Sequence, residues 1–235
     1  MSRRLRSTTL VAADLRRVFR SDEKRLVDAY VARLCVLYED LRIEISAINA
    51  NSIPSLDILD PAAEGLDVKE VGKYRRNYFL RRSIGTLYEF AEGLRLLAAC
   101  PDFAGVSAAF DGDTAAQWNA ATGFFQSKER LIQNVRNDIG GHFGGKAAIY
   151  AVPNLSTGTV GKIEIKYDDQ NCPRPPELHC AGEIAESAFP RHLPGTSVDE
   201  QVGGFMKDVL KPGYRHATQC VHVLVVLYLW PRFGT

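Results

Sequence analysis

The sequence lacks the features that would assign it to a membrane, a secreted or a strongly charged class of protein. Its longest strongly apolar run, residues 221–230, is about half the length that a membrane-spanning helix needs. Its five cysteines are odd in number and widely spread, and the arginine-rich start contains no apolar stretch of the secretory kind. The formal net charge is only +1. These absences predict a cytoplasmic protein with reduced thiols and no membrane contact.

The composition is that of an ordinary globular protein. Hydrophobic residues make up 46% and charged residues 24% of the 235 positions. A chain of this length can bury a core without disulfides or a bound metal. Stability therefore requires no cofactor, and we expect neither a cofactor nor a metal ion. No internal repeat or low-complexity tract divides the chain, so we predict one domain over residues 1–235.

Apolar residues recur at spacings of three and four, the pattern of amphipathic helices. The segments with this pattern are residues 22–48, 67–98 and 114–139. Asp67 is the candidate N-cap of the second segment. Gly140 and Gly141 end or loosen the third. The pattern predicts a mainly α protein, a helical bundle with a small β-hairpin insertion.

Residues 146–197 interrupt the helical pattern and are predicted to form an insertion within the helical domain. Ala147–Val152 and Gly161–Tyr167 have the composition of two short strands, which predicts the β-hairpin. The prolines that follow predict irregular surface structure. Beyond the insertion, Ser197 is a candidate N-cap for a last helical region, which Pro212-Gly213 should break.

Lysine and arginine are concentrated in two parts of the chain. Residues 1–20 contain six arginines and one acid. Residues 73–82 contain no acid, three aromatic residues and the cations Lys73, Arg75, Arg76, Arg81 and Arg82. This mixture suits phosphate contacts combined with base stacking and predicts RNA binding. The alternative is a solvated helix face.

Two further patterns fit known sites poorly. The segment 140–146 has the glycine and lysine spacing of a P-loop, but Ala147 replaces the Ser or Thr that would hold magnesium. A zinc site would need Cys172, His179 and Cys180, with His192 as a fourth ligand. No Cys-x-x-Cys pair is present among them. We therefore expect a proline-rich loop with incidental thiols and no metal site.

The segment from Arg136 to His142 begins with an arginine that is followed directly by the polar residue Asn137. His142 lies six positions after the arginine. This pattern resembles the motif of the HEPN superfamily, small helical bundles whose RNase members carry an arginine, four to six residues, then a histidine. The resemblance covers roughly residues 22–145. It implies a homodimeric, metal-independent endoribonuclease that leaves a 2′,3′-cyclic phosphate and a 5′-hydroxyl. It also implies a toxin or antiviral defence effector with an antitoxin or regulatory partner.

Two other arginine–histidine pairs of this chain also have four to six residues between them, in contexts that argue against a site. Arg174 to His179 is interrupted by two prolines, which exclude a helix. Arg215 to His222 leads into an apolar run suited to burial.

The motif residues have the chemistry that metal-independent RNA cleavage requires. His142 can take or give a proton near neutral pH, and Arg136 can bind phosphate oxygens with two parallel hydrogen bonds. Asn137 would orient the ribose or the histidine. The predicted catalytic residues are therefore Arg136, Asn137 and His142.

The spacing within the motif does not by itself bring Arg136 and His142 together. On a regular helix Arg136 and His142 lie about 120° apart. Either the two glycines turn His142 back, or a two-fold dimer supplies one His142 as base and the other as acid. Two alternatives remain. Asp138 and His142, four residues apart, would simply pair on an exposed helix end, or the protein would be a non-catalytic helical dimerisation or RNA-binding module.

Overall fold

The computed structural model of the protein describes residues 18–19, 26–49, 68–140, 145–155, 163–164, 177–178, 184–185, 187–188, 191–195 and 197–233. The helices are α1 (Leu26–Asn49), α2 (Val68–Ala98), α3 (Pro101–Ser107), α4 (Gly112–Ile139), α5 (Gly145–Ala151), α6 (Val198–Phe205), α7 (Lys211–Leu224) and α8 (Trp230–Phe233). A 3-10 turn (Val152–Asn154) follows α5, and two π-helical turns (Met206–Leu210 and Val225–Leu229) join α6, α7 and α8. The prediction of a mainly helical protein is confirmed.

Four helices form the body of the fold. α1 packs along α2, α2 packs on α4, α4 on α7, and α7 returns to α1, so that the ring closes around one hydrophobic cluster. The largest fully buried side chains are Val18, Leu34, Leu41, Ile84, Leu87, Phe90, Leu97, Phe103, Ile132, Ile139, Leu210 and Leu224. Burying each such side chain contributes about 1.5–3 kcal/mol. Packing of these apolar faces is therefore what holds the helices together.

The predicted helix boundaries lie close to the observed ones where the sequence offers a capping residue or a clear apolar stripe. The described part of the first predicted helix begins at Leu26, and its apolar stripe is buried or partly buried. The third predicted helix begins two residues earlier than expected, at Gly112. Asp111 is its N-cap and accepts a hydrogen bond from the Thr114 N–H at 2.8 Å. The candidate N-cap Asp67 lies outside the described residues.

The prediction of a strand at Ala147–Val152 is wrong. These residues form most of α5 and the start of the 3-10 turn. Ala147 and Ala151, one turn apart, are buried, whereas Ile149 between them is 78% exposed. The strands that the described residues contain are Ile163–Glu164 and Glu177–Leu178, paired antiparallel. The predicted pairing between 147–152 and 161–167 therefore does not form.

The prediction of a break at Pro212-Gly213 is also wrong, because helical backbone continues from Val198 to Phe233. Proline lacks an N–H, and its ring clashes with the carbonyl four residues earlier in a regular helix. A π-helical turn ends directly before α7 and accommodates the proline in its wider ring of hydrogen bonds. Gly213 allows close packing, since a Cβ there would lie 2.9 Å from Cδ1 of Leu87.

The end of the described chain is tied to α1 by a buried carboxylate. Asp28 is only 4% exposed and accepts hydrogen bonds from the Tyr228 hydroxyl at 2.5 Å and from Nη1 of Arg232 at 2.6 Å. The same Nη1 donates to the carbonyl oxygen of Val18 at 3.0 Å. Burial and the adjacent Asp28 carboxylate raise the pKa of Tyr228 to about 12.

Candidate functional site

The end of α4 meets the middle of α2 at two glycines. A Cβ on Gly85 would lie 2.5 Å from the carbonyl oxygen of Gly140, and a Cβ on Gly140 would lie 2.7 Å from the Cα of Arg136. Gly140 caps α4 with φ −84° and ψ 34°, and its N–H donates to the Arg136 carbonyl at 2.9 Å. Gly140 therefore does end the helix, as expected. Glycine is needed there because no room exists for a side chain.

A cleft of about 340 Å³ opens where α1, α2 and α4 come together. Its lining residues are Leu37 and Asp40 of α1, Arg82, Gly85, Thr86 and Glu89 of α2, and Arg136, Asn137 and Gly140 at the end of α4. Two separate sequence predictions meet in this cleft. Arg82 comes from the predicted RNA-binding segment, and Arg136 and Asn137 come from the predicted catalytic motif.

Arg136 is 42% exposed and is held from three sides. Its Nη1 donates to Oδ1 of Asn137 at 3.2 Å, and its Nη2 lies 3.8 Å from Oε1 of Glu89. Its guanidinium carbon lies 5.1 Å from the ring centre of Tyr88. Asn137 therefore contacts the arginine of the motif directly. These contacts orient a cation at the cleft while leaving much of it accessible to solvent.

Glu89 is shared between two arginines at the cleft. Nη2 of Arg33 donates to its Oε2 at 2.5 Å, while Arg136 approaches its Oε1. All three side chains are between about one third and two fifths exposed, so each pair contributes little to stability. Their effect is positional, because a carboxylate between two guanidinium groups fixes where both groups point.

A buried carboxylate lies behind Arg82. Glu44 is 5% exposed and accepts a hydrogen bond from the Thr86 hydroxyl at 3.0 Å, with Nε of Arg82 at 3.6 Å. Among the described residues its Oε2 has no hydrogen-bond partner. Burial raises the pKa of Glu44, and the negative charge of Asp40 adds to that effect, while Thr86 and Arg82 oppose it.

The basic segment does not present a single face. At about 100° per residue, Arg75 and Arg82 lie on one side of α2, whereas Arg76 and Arg81 point elsewhere. Arg76 and Arg82 are exposed, and Arg75 and Arg81 are half-buried. The Lys73 side chain lies outside the described residues. Of the five predicted RNA-binding residues, the described structure therefore brings Arg82 to the motif.

His142 lies outside the described residues, so its approach to Arg136 stays a prediction. Asp138, its expected partner in the simplest alternative, lies 7% exposed rather than on an open helix end. Both Asp138 oxygens accept hydrogen bonds from Nη1 of Arg191, at 3.0 and 2.9 Å. Nε2 of His192 lies 2.5 Å from Oδ2. Sequence reasoning missed this cluster, because Asp138 is more than fifty residues from Arg191 and His192 and no local pattern links them.

The other described histidines and cysteines show no arrangement typical of a reactive site. His216 is half-buried against the ring of Phe124, with ring centres 4.8 Å apart. His222 is exposed, so the expectation that the apolar run after Arg215 buries it is wrong. Burial raises the pKa of the Cys220 thiol to about 12, which removes its reactivity. The described residues contain no group of three or more His, Cys, Asp or Glu that could hold a metal ion. Cys172, His179 and Cys180 lie outside those residues.

Within the described part of the chain, no helix is both long enough and apolar enough to cross a membrane.

Comparisons with protein-family models, with curated proteins and with solved structures find no match for this chain.

Proposed function

We propose that this protein is a metal-independent endoribonuclease whose site is the cleft between α1, α2 and the end of α4. The observation that supports this proposal is the meeting of Arg82 with Arg136 and Asn137 in one cleft. Arg82 and Arg136 belong to different helices, line the same cleft and are both accessible to solvent. Guanidinium groups bind phosphate oxygens with paired hydrogen bonds.

The roles follow from the chemistry of RNA cleavage. Arg136 stabilises the negative charge that develops on the phosphorus oxygens, and Arg82 holds the phosphate group in the cleft. Asn137 orients the Arg136 guanidinium through the 3.2 Å hydrogen bond. His142 transfers the proton of the attacking 2′-hydroxyl, which yields a 2′,3′-cyclic phosphate and a 5′-hydroxyl.

Two proton transfers are needed, one to the base and one to the leaving oxygen. If His142 is the single proton-transfer residue of each chain, the partner's His142 supplies the second, and the active form is a homodimer built around the end of α4. Light scattering at tens of micromolar tests this part. A monomer with undiminished activity contradicts it. A toxin or antiviral defence role, with an antitoxin or regulatory partner, would follow from uncontrolled RNA cleavage in a cytoplasm.

The decisive experiment compares His142→Ala with His222→Ala on purified protein. His222 is exposed on α7 and serves as the matched control. We expect His142→Ala to lower the rate of RNA cleavage by a factor of about 10² to 10⁴, the usual loss for a general acid–base group. RNA affinity and the melting temperature should change little. The wild-type rate should survive EDTA.

Other outcomes favour the second candidate, a non-catalytic RNA-binding or dimerisation module. If chelation abolishes cleavage and His142→Ala leaves it unchanged, the activity belongs to other residues or to a contaminant. RNA binding that depends on Arg82 and Arg136 without any cleavage would identify the module. The same cleft then binds RNA and performs no chemistry.

A further inference from the structure

A second cavity, of about 380 Å³, lies beside α5 and shares no lining residue with the cleft. It is lined by Lys146, Ile149 and Tyr150 of α5, by Pro153 and Asn154 of the 3-10 turn, and by Arg191. Arg191 connects this cavity to α4, because its guanidinium is hydrogen-bonded to Asp138. The cavity and the cleft therefore adjoin the same end of α4.

The charge of this cavity differs from that of the cleft. The cleft is lined by two cations and by the carboxylates Asp40 and Glu89. The cavity is lined by Lys146 and Arg191, and none of its described lining residues is acidic. The described lining of the cavity therefore carries two cations and no carboxylate, whereas the lining of the cleft carries two of each.

The contacts of the Arg191 guanidinium with Asp138 leave some of its N–H groups for a ligand. Its side chain is 31% exposed, and Asp138 accepts both of its described hydrogen bonds from Nη1 alone. A guanidinium has five N–H donors in a rigid fork. Nε2 of His192 lies beside Oδ2 of the same carboxylate. The described side-chain hydrogen bonds of Arg191 use Nη1, so Nη2 and Nε can serve a ligand.

The rim of the cavity is apolar as well as cationic. Ile149 is 78% exposed, the Tyr150 ring is half-buried, and Pro153 is exposed. A flat ring and an open aliphatic surface beside two cations match the two parts of a nucleotide, a base and a phosphate group. A bare anion would make no contact with the apolar rim.

We propose that this cavity binds one nucleotide of a single RNA strand, with its phosphate on Arg191 and Lys146 and its base against Tyr150 and Ile149. The choice of RNA rests on the proposed function. Arg136 and Asp138 are two residues apart and point to nearly opposite sides of α4. A strand held in the cleft and in the cavity would therefore pass around the helix end, and the cavity would extend recognition beyond the cleaved bond.

The experiment measures binding of a 2′-O-methyl oligouridine, which cannot be cleaved by attack of a 2′-hydroxyl, by fluorescence anisotropy over a range of salt concentrations. Lys146→Ala should weaken binding several-fold and reduce the slope of log affinity against log salt by about 0.7, the value for one lost contact to a single strand. Lys207→Ala removes an equal charge from an exposed position in the π-helical turn before α7 and should change neither quantity. Tyr150→Ala should weaken binding without changing the slope.

Photocrosslinking with a 4-thiouridine version of the same oligonucleotide locates the strand. We expect adducts on the peptide that carries Ile149 and Tyr150. Equal losses for Lys146→Ala and Lys207→Ala, absence of RNA binding, or adducts confined to α2 and α4 would overturn this site. If binding depends on Lys146 but natural RNA is never cleaved, the site stands and the nuclease proposal fails. If Lys146→Ala changes neither binding nor cleavage of natural RNA, the site fails and the nuclease proposal stands.

Discussion

The carbonyl oxygen of Gly140 lies so close to Gly85 that a Cβ on Gly85 would be only 2.5 Å from it. This contact sets the distance between α2 and the end of α4, and therefore between Arg82 and Arg136. The cleft depends on the absence of two side chains as much as on the presence of two cations.

Gly85→Ala is therefore expected to destabilise the protein and to separate the two arginines. Alanine favours a helix over glycine by about 0.5–1 kcal/mol, but a clash with backbone costs typically about 1–3 kcal/mol. The melting temperature should fall, and RNA affinity should fall with it. Gly123→Ala on α4 is the control, because its Cβ would meet nothing within 4 Å. It should raise stability by about 0.5–1 kcal/mol. A stabilised Gly85→Ala would contradict the close approach.

The sequence predicted the helix faces, which follow from residue periodicity, and did not predict contacts between residues that are distant in the chain. The buried stripe of α1 follows from residue spacing, because helix geometry determines which side chains share a face. Residues 147–152 have the composition of a short strand, but small residues one turn apart, such as Ala147 and Ala151, also fit a helix against a core. The position of Gly140 was predicted, but not its contact with Gly85. The bond between Asp138 and Arg191 spans 53 residues and depends on tertiary packing alone.

Arg82 should account for one phosphate contact of bound RNA. Arg82→Ala should lower the affinity for a single-stranded oligonucleotide and reduce the slope of log affinity against log salt by about 0.7. Arg95→Ala is the matched control, because Arg95 is exposed on the same helix and is paired with Glu92 away from the cleft. Anisotropy titrations at several salt concentrations check both. Equal slopes for the two variants would remove Arg82 from the interface.

Glu44→Gln should stabilise the protein at neutral pH. Burial raises the pKa of Glu44, so the folded protein holds this proton more tightly than the unfolded chain does. The free energy of unfolding contributed by Glu44 therefore falls as pH rises from its ordinary pKa to the raised one. Glutamine has no charge to lose, and the Thr86 hydroxyl can still donate to its oxygen.

Denaturant unfolding at a series of pH values checks this prediction. The Glu44→Gln variant should show a flatter decline above the ordinary carboxyl pKa than the wild type does. Glu129→Gln, at an exposed position of α4, should leave the profile of the wild type unchanged. A Glu44→Gln protein that is less stable than the wild type at neutral pH would mean that the Arg82 pair outweighs the desolvation of Glu44.

The hydroxyl of Tyr228 should make the protein sensitive to alkali. An unfolded tyrosine loses its proton near pH ~10, whereas burial and the carboxylate of Asp28 raise the pKa of Tyr228 to about 12. The unfolded chain therefore releases this proton first, and the free energy of unfolding falls as pH rises between those two values.

Tyr228→Phe removes this decline. It also costs about 1.5–3 kcal/mol at neutral pH, because a hydrogen bond to the charged Asp28 carboxylate is lost. Tyr78→Phe, at an exposed tyrosine, should change neither quantity in pH-dependent unfolding. If both variants keep the alkaline decline of the wild type, other groups cause it.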